Sequence, residues 1–191
     1  MSALDIRVRS IGEARPLVLS GWATAIVSAV DEPSLAVERP PFIEEQRHLV
    51  VCFDDVTHPS FGTVVDASTV RAVVDFGRTL DDGTRVLVHC RGGIGRSPAC
   101  AIALHLAHGT TMAEAIQLVV ADRPQAQPNP LFVLVLDEVL GATGELWHDY
   151  HQWAYRQPWW ISGLEPDPSR SASDRKSTRL NSSHLGISYA V

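Results

Sequence analysis

Residues 89–97 read His-Cys-Arg-Gly-Gly-Ile-Gly-Arg-Ser, directly after the apolar run Val86-Leu87-Val88. A strand ending at His89 and a helix opening near Ser97 would leave a loop whose backbone N–H groups converge at the positive end of a helix dipole. Such an arrangement binds a tetrahedral dianion. Gly92, Gly93 and Gly95 let the backbone approach the anion closely, and Arg96 adds a fork of donors that pairs with two phosphate oxygens. Arg91 and Ile94 complete the expected phosphate-binding stretch 91–96, with the Arg91 side chain read as solvated. Cys90 feels the same field. A free cysteine titrates near ~8.5 and electropositive sites lower it to roughly 4–7, so Cys90 is expected as a thiolate, in line to attack a bound phosphate ester. The alternative is an inert core thiol at a strand end.

The elements that must position this loop are legible as patterns. Ala23–Val30, Leu49–Phe53 and Val86–His89 are continuous apolar runs, as expected of strands buried on both faces. Leu17-Val18-Leu19, closed by Ser20-Gly21, reads as a further short strand. Residues 67–80 carry Val70, Val73, Val74 and Phe76 on one helical face and end at Asp81-Asp82-Gly83. After the loop, Ser97-Pro98 opens a helix that Gly109 ends, since proline is tolerated in a first turn. Thr111 and Glu114 form a capping box for a helix to about Ala121. A proline-rich turn then leads to a third helix, Leu131–Leu140, stopped by Gly141. This order predicts an α/β fold with a central, mostly parallel sheet of four to five strands flanked by helices.

The length of 191 residues suits one domain. The net charge of −6 argues against general nucleic-acid binding. No stretch is long and apolar enough to span a membrane and no signal sequence opens the chain, so a cytoplasmic protein without membrane contact is expected. The three cysteines, Cys52, Cys90 and Cys100, fit a reducing compartment better than a disulfide framework. The pairs His105/His108 and His148/His151 lack the further ligands a metal site needs, so no metal and no cofactor are expected. Trp147, Trp153, Trp159 and Trp160 crowd residues 144–160, which read as a final amphipathic helix packing its aromatics on the domain. No lysine precedes Lys176, and Asn129 is the only asparagine before Asn181. That bias points to a GC-rich bacterial genome, and the tail breaks it. The tail's DRKSTRLNSSH resembles a translated sequencing adapter, so residues 174–191 are set aside as an artefact. Residues 1–141 are read as the functional domain and 142–173 as a Trp-rich helical extension.

His89-Cys90-Arg91-Gly92-Gly93-Ile94-Gly95-Arg96-Ser97 resembles the signature loop of the cysteine-dependent protein tyrosine phosphatase superfamily, in its compact dual-specificity-like form. The resemblance covers residues 15–141, with Arg123-Pro124 and Pro128-Asn129-Pro130 matching the segment two helices past the loop. It implies Cys90 as nucleophile, Arg96 as phosphate clamp and Ser97 as a hydroxyl easing breakdown of a phosphocysteine. It further implies that His89 holds the loop by hydrogen bonds and helps set the thiol's pKa. Expelling the leaving group needs a proton donor, worth about 10²–10⁴ in rate. The resemblance puts that acid after the second core strand, at Asp55, with Asp54 as the alternative. The Trp-Pro-Asp form of the strictly tyrosine-specific branch is absent. So are lysines in the loop, which the phosphoinositide branch carries. Cys52 and Cys100 read as buried packing residues, with a regulatory disulfide to Cys90 as the alternative the resemblance offers.

Three functions compete. The first is a phosphomonoester hydrolase acting on a phosphorylated protein or small phosphate ester. The second is a catalytically weak module that binds phosphoproteins, and the third a rhodanese-like sulfurtransferase. The loop leaves the substrate and the oligomeric state open.

Overall fold

The computed structural model describes residues 4–38, 43–44, 47–56 and 59–160. The expected artefact tail and His58 lie outside them. Four strands, β1 (Asp5–Ser10), β2 (Ala25–Val30), β3 (His48–Cys52) and β4 (Arg85–Cys90), form one sheet in the order β1-β4-β2-β3, with every pairing parallel. Among the described residues the helices are α1 (Ile11–Leu19), α2 (Ala67–Arg78), α3 (Arg96–Ala107), α4 (Met112–Asp122), α5 (Pro130–Leu140) and α6 (Glu145–Ala154). The expected α/β architecture is therefore found, with a sheet that is wholly parallel.

Side chains alternate across a strand, and this sheet sorts them into two cores. Ile26 and Leu87 turn to the face covered by α1, where they pack with Ala14, Val18 and Ala23. Ala25, Val27, Val86, Val88 and Cys90 turn to the opposite face, into the large core shared with α2 to α6. The central strands β2 and β4 are covered on both faces, which explains their unbroken apolar runs.

Two differences from the sequence reading have local causes. The short strand expected at Leu17–Leu19 is the end of α1. Ser10 caps that helix through the Glu13 N–H, and the Glu13 carboxylate reaches back to the Ser10 N–H at 2.9 Å. This capping box starts a helix that carries Val18 into the smaller core. β1 carries no unbroken apolar run: Asp5-Ile6-Arg7-Val8-Arg9 alternates charge with apolar residues, as suits an edge strand. Asp122, ending α4, accepts the Val8 N–H and Arg9 Nη1, each at 2.7 Å, and so closes that edge.

The Trp-rich segment joins the same core. Trp147, Tyr150 and Ala154 of α6 are buried, and the Tyr150 hydroxyl donates to the Pro128 carbonyl at 2.6 Å. Asp137 in α5 accepts the Gly144 N–H at 2.6 Å and the Trp147 N–H at 3.1 Å, supplying the anionic cap that α6 lacks in its own sequence.

Candidate active site

Strand β4 ends at Cys90 and α3 begins at Arg96, so the loop joins a buried strand end to a helix N-terminus. Every carbonyl from Arg91 to Gly95 is held from outside the loop. The Ile11 N–H takes Arg91 O at 3.4 Å, Arg123 Nη2 takes Gly92 O at 3.2 Å, and Arg123 Nε takes Gly93 O at 3.1 Å. The Gln127 N–H takes Ile94 O at 2.8 Å and the Asn129 N–H takes Gly95 O at 3.1 Å. In a planar trans peptide the N–H points opposite to the preceding C=O. Five outward carbonyls therefore turn the N–H groups of residues 92–96 inward, building the anion cradle. Gly93 makes the sharpest part possible: its φ is +69°, and a Cβ there would lie 2.7 Å from the backbone of Arg9 and Ser10.

Cys90 is buried at the bottom of this cradle. Its Sγ accepts the Gly93 N–H at 3.1 Å and the Ser97 hydroxyl at 3.2 Å. Arg96 is also buried, its Nη1 donating to the Phe53 carbonyl at 3.0 Å and to the Asp31 carboxylate. Arg91 points outward and is 77% exposed, with Asp31 at 3.6 Å. Ile94 lies on the loop's outer rim, partly exposed.

The two candidate acids have different surroundings. The Asp55 carboxylate lies directly against Gly95, so closely that a Cβ on Gly95 would overlap it. Asn129 Nδ2 donates to Asp55 Oδ1 at 3.0 Å, and the Arg96 N–H also faces that carboxylate. The Asp55 residue presents surface to solvent, but its carboxylate faces into the cradle. Burial there pushes its pKa above the ordinary carboxylate range, against the opposing effects of the Asn129 hydrogen bond and the Arg96 charge. Asp54 turns the other way. Its Oδ2 accepts the Thr63 N–H at 2.7 Å and its own N–H donates to the Thr63 carbonyl, pinning the following loop.

The same fold occurs in solved structures. Human DUSP28 superimposes with a TM-score of 0.53 at 24% identity, covering 72% of this chain and 92% of that one. A mouse putative dual specificity phosphatase complexed with zinc tungstate gives 0.57 at 23% identity, covering 75% and 86%. The Cydia pomonella PTP-2 phosphatase gives 0.51 at 21%, covering 70% and 84%. The chain has the fold of the dual-specificity and tyrosine phosphatases. No family profile and no curated protein sequence matches it.

Within this phosphatase fold, several site residues lie far from the signature loop in sequence and had no assigned role in the sequence reading. Arg123 clamps two loop carbonyls while its Nη1 pairs with Glu13 at 2.9 Å, and that pairing, with Ser10, holds the Glu13 carboxyl down at about 2. Asn129 caps α5 through the Phe132 N–H at 3.0 Å and presents its other end to Asp55. The Arg-Pro and Pro-Asn-Pro pairs were the only signal for these two. Asp31, just past β2, had none beyond its place after an apolar run.

Sitting beside Cys90 on β4, His89 turns its ring to the opposite face of the sheet, where one hydrogen bond runs away from the loop, while the Cys90 backbone also favours a proton on the ring. His89 Nε2 meets Ser28 Oγ at 2.7 Å, and Ser28 Oγ meets His48 Nε2 at 2.8 Å. Burial, with His48 nearby, lowers the His89 pKa to about 4, so the ring is neutral near pH 7 and brings no positive charge to the thiol. Cys52 is exposed, against the buried role expected for it, whereas Cys100 is fully buried and burial raises its pKa.

Proposed function

We propose that this chain is a phosphomonoester hydrolase of the protein tyrosine or dual-specificity phosphatase type, acting through a phosphocysteine. The observation that carries the reading is the position of Cys90 Sγ, held by the Gly93 N–H and the Ser97 hydroxyl beneath the inward N–H groups of the loop. The mouse relative was solved with zinc tungstate, and tungstate is a tetrahedral oxyanion of the kind such a cradle takes.

A bound phosphate dianion would rest on the N–H groups of residues 92–96 and the Arg96 guanidinium, which stabilise its three non-bridging oxygens. The Cys90 thiolate attacks phosphorus, an S–P bond forms, and the ester P–O bond breaks. The leaving oxygen takes the proton of Asp55, whose raised pKa favours the protonated form needed for this step. Water then enters, gives a proton to the Asp55 carboxylate and attacks phosphorus. The S–P bond breaks, and the Ser97 hydroxyl stabilises the returning thiolate. Phosphorylated protein or a small phosphate ester is the substrate class, and the cytoplasm the proposed location. No described helix is long and apolar enough to cross a membrane.

A carboxyl group held over the cradle, with burial raising its pKa, is what a catalyst needs and what a module that only binds phosphate does not. A rhodanese-like sulfurtransferase has no use for it either. The test is hydrolysis of an aryl phosphate by the parent and Cys90→Ser proteins. Turnover in the parent, none in the variant, and vanadate binding to the parent support the reading. An unimpaired Cys90→Ser enzyme, or persulfide formation from thiosulfate without phosphatase activity, overturns it.

A further inference from the structure

One carboxylate touches both arginines of the loop and lies near its neighbouring carboxyl. Asp31 follows β2 and meets Arg96 through Oδ1 and Arg91 through Oδ2, the latter at 3.6 Å. It also lies close enough to Asp55 to raise that group's pKa. Asp31 itself is 27% exposed, so it stands at the mouth of the site with Arg91 outside it and Arg96 beneath.

Residues 89–97 contain two arginines and no lysine. Arg96 is committed to the anion in the cradle. Arg91 is the loop cation placed to meet a second anionic group beside it, and its nearest charged partner is already Asp31. A second phosphate on the substrate would approach an arginine whose charge is offset and a carboxylate that repels it. At a few ångströms such charges still interact despite the solvent exposure of Arg91, which screens them in part. Like-charge contacts of this kind suppress unwanted ligands more than they strengthen the right one.

We propose that Asp31 is a specificity-determining residue, bridging Arg96 to Arg91 so that the site accepts a substrate with one phosphate monoester and disfavours one with a second phosphate beside it. This rests on the phosphatase reading of the cradle and names the substrate class within it. Asp31 also positions Arg96, which holds a buried guanidinium in place before phosphate arrives.

Binding in a Cys90→Ser background separates this inference from the catalytic one, because it needs no turnover. Calorimetry compares phosphotyrosine, with one phosphate, and inositol 4,5-bisphosphate, with two. In the Cys90→Ser protein phosphotyrosine binds at least as tightly as the bisphosphate. Adding Asp31→Asn moves the ratio of the two affinities toward the bisphosphate by about tenfold, and adding Arg91→Ala to that pair removes the gain. An unchanged ratio in the Asp31→Asn protein overturns the proposal. So does a bisphosphate that binds more than tenfold tighter than phosphotyrosine with Asp31 intact, a result that requires no substitution at Asp31. Failure of the parent to hydrolyse any phosphate ester, with the affinity ratio shifting as stated, sinks the catalytic reading and leaves the role of Asp31 standing.

Discussion

Asn129 Nδ2 donates to Asp55 Oδ1 at 3.0 Å, joining the start of α5 to the carboxylate above the Cys90–Arg96 loop. Asn129 Oδ1 meanwhile accepts the Phe132 N–H as the cap of α5. One side chain thus opens a helix and holds the Asp55 carboxyl. Its hydrogen bond favours the charged carboxylate and lowers the Asp55 pKa against burial. Asn129→Ala should therefore raise that pKa further. The alkaline limb of the kcat–pH profile, where Asp55 loses its proton, moves to higher pH, and the lost cap costs about 1 kcal/mol of stability. A pH–rate profile with a urea unfolding curve measures both.

Asp55 and Asp54 are adjacent in sequence and separable by experiment. Asp55→Asn should lower kcat for an aryl phosphate by about 10²–10⁴ and abolish the alkaline limb. Asp54→Asn keeps that limb and instead loosens the turn that Asp54 closes through Thr63. Full activity at neutral pH in Asp55→Asn would assign the acid elsewhere.

Gly95 offers a test by shape alone. Its φ is −104°, which any residue adopts, so the backbone does not require glycine there. The Asp55 carboxylate does, because a Cβ would occupy its place. Gly95→Ala should displace Asp55 and cut kcat nearly as much as Asp55→Asn, with little change in melting temperature. Gly93→Ala, at φ +69° and against the Ser10 backbone, should lose both activity and stability.

Acid should unfold the protein earlier than its carboxylates alone require. His89 and His105 are buried and hold pKa values of about 4, each chiefly through desolvation. An unfolded histidine takes its proton near ~6.5. The fold binds fewer protons than the unfolded chain between these values, so this stability is present above about pH 6.5 and is lost as pH falls toward 4. The loss amounts to about 3 kcal/mol for each ring. Urea unfolding at pH 7, 5.5 and 4.5 reads it, and His105→Gln should flatten the dependence. A stability that stays constant from pH 7 to 4.5 excludes it.

The contiguous residues 89–97 by themselves carried most of the proposed chemistry, because a strand end, three glycines, an arginine and a helix start act over a few ångströms of chain. The runs forming β2 and β4 were equally legible, since burial on both faces leaves an unbroken apolar stretch, and the edge strand β3 was legible from an apolar run of which only Val51 and the following Phe53 are buried. Leu17–Leu19 was not, because a short apolar run fits a helix end and a strand alike. Tertiary structure alone decided which of two neighbouring aspartates turns into the cradle. Their side chains leave the backbone in different directions, and Asn129, Gly95 and Thr63 come from remote segments to receive them. It also decided that His89 looks away from Cys90. Adjacent strand residues point to opposite faces, and the register pairs His89 with Ser28. Asp31 and Arg123 reach the loop only once β2 and α4 are packed, so their charges became part of the site through folding rather than through spacing.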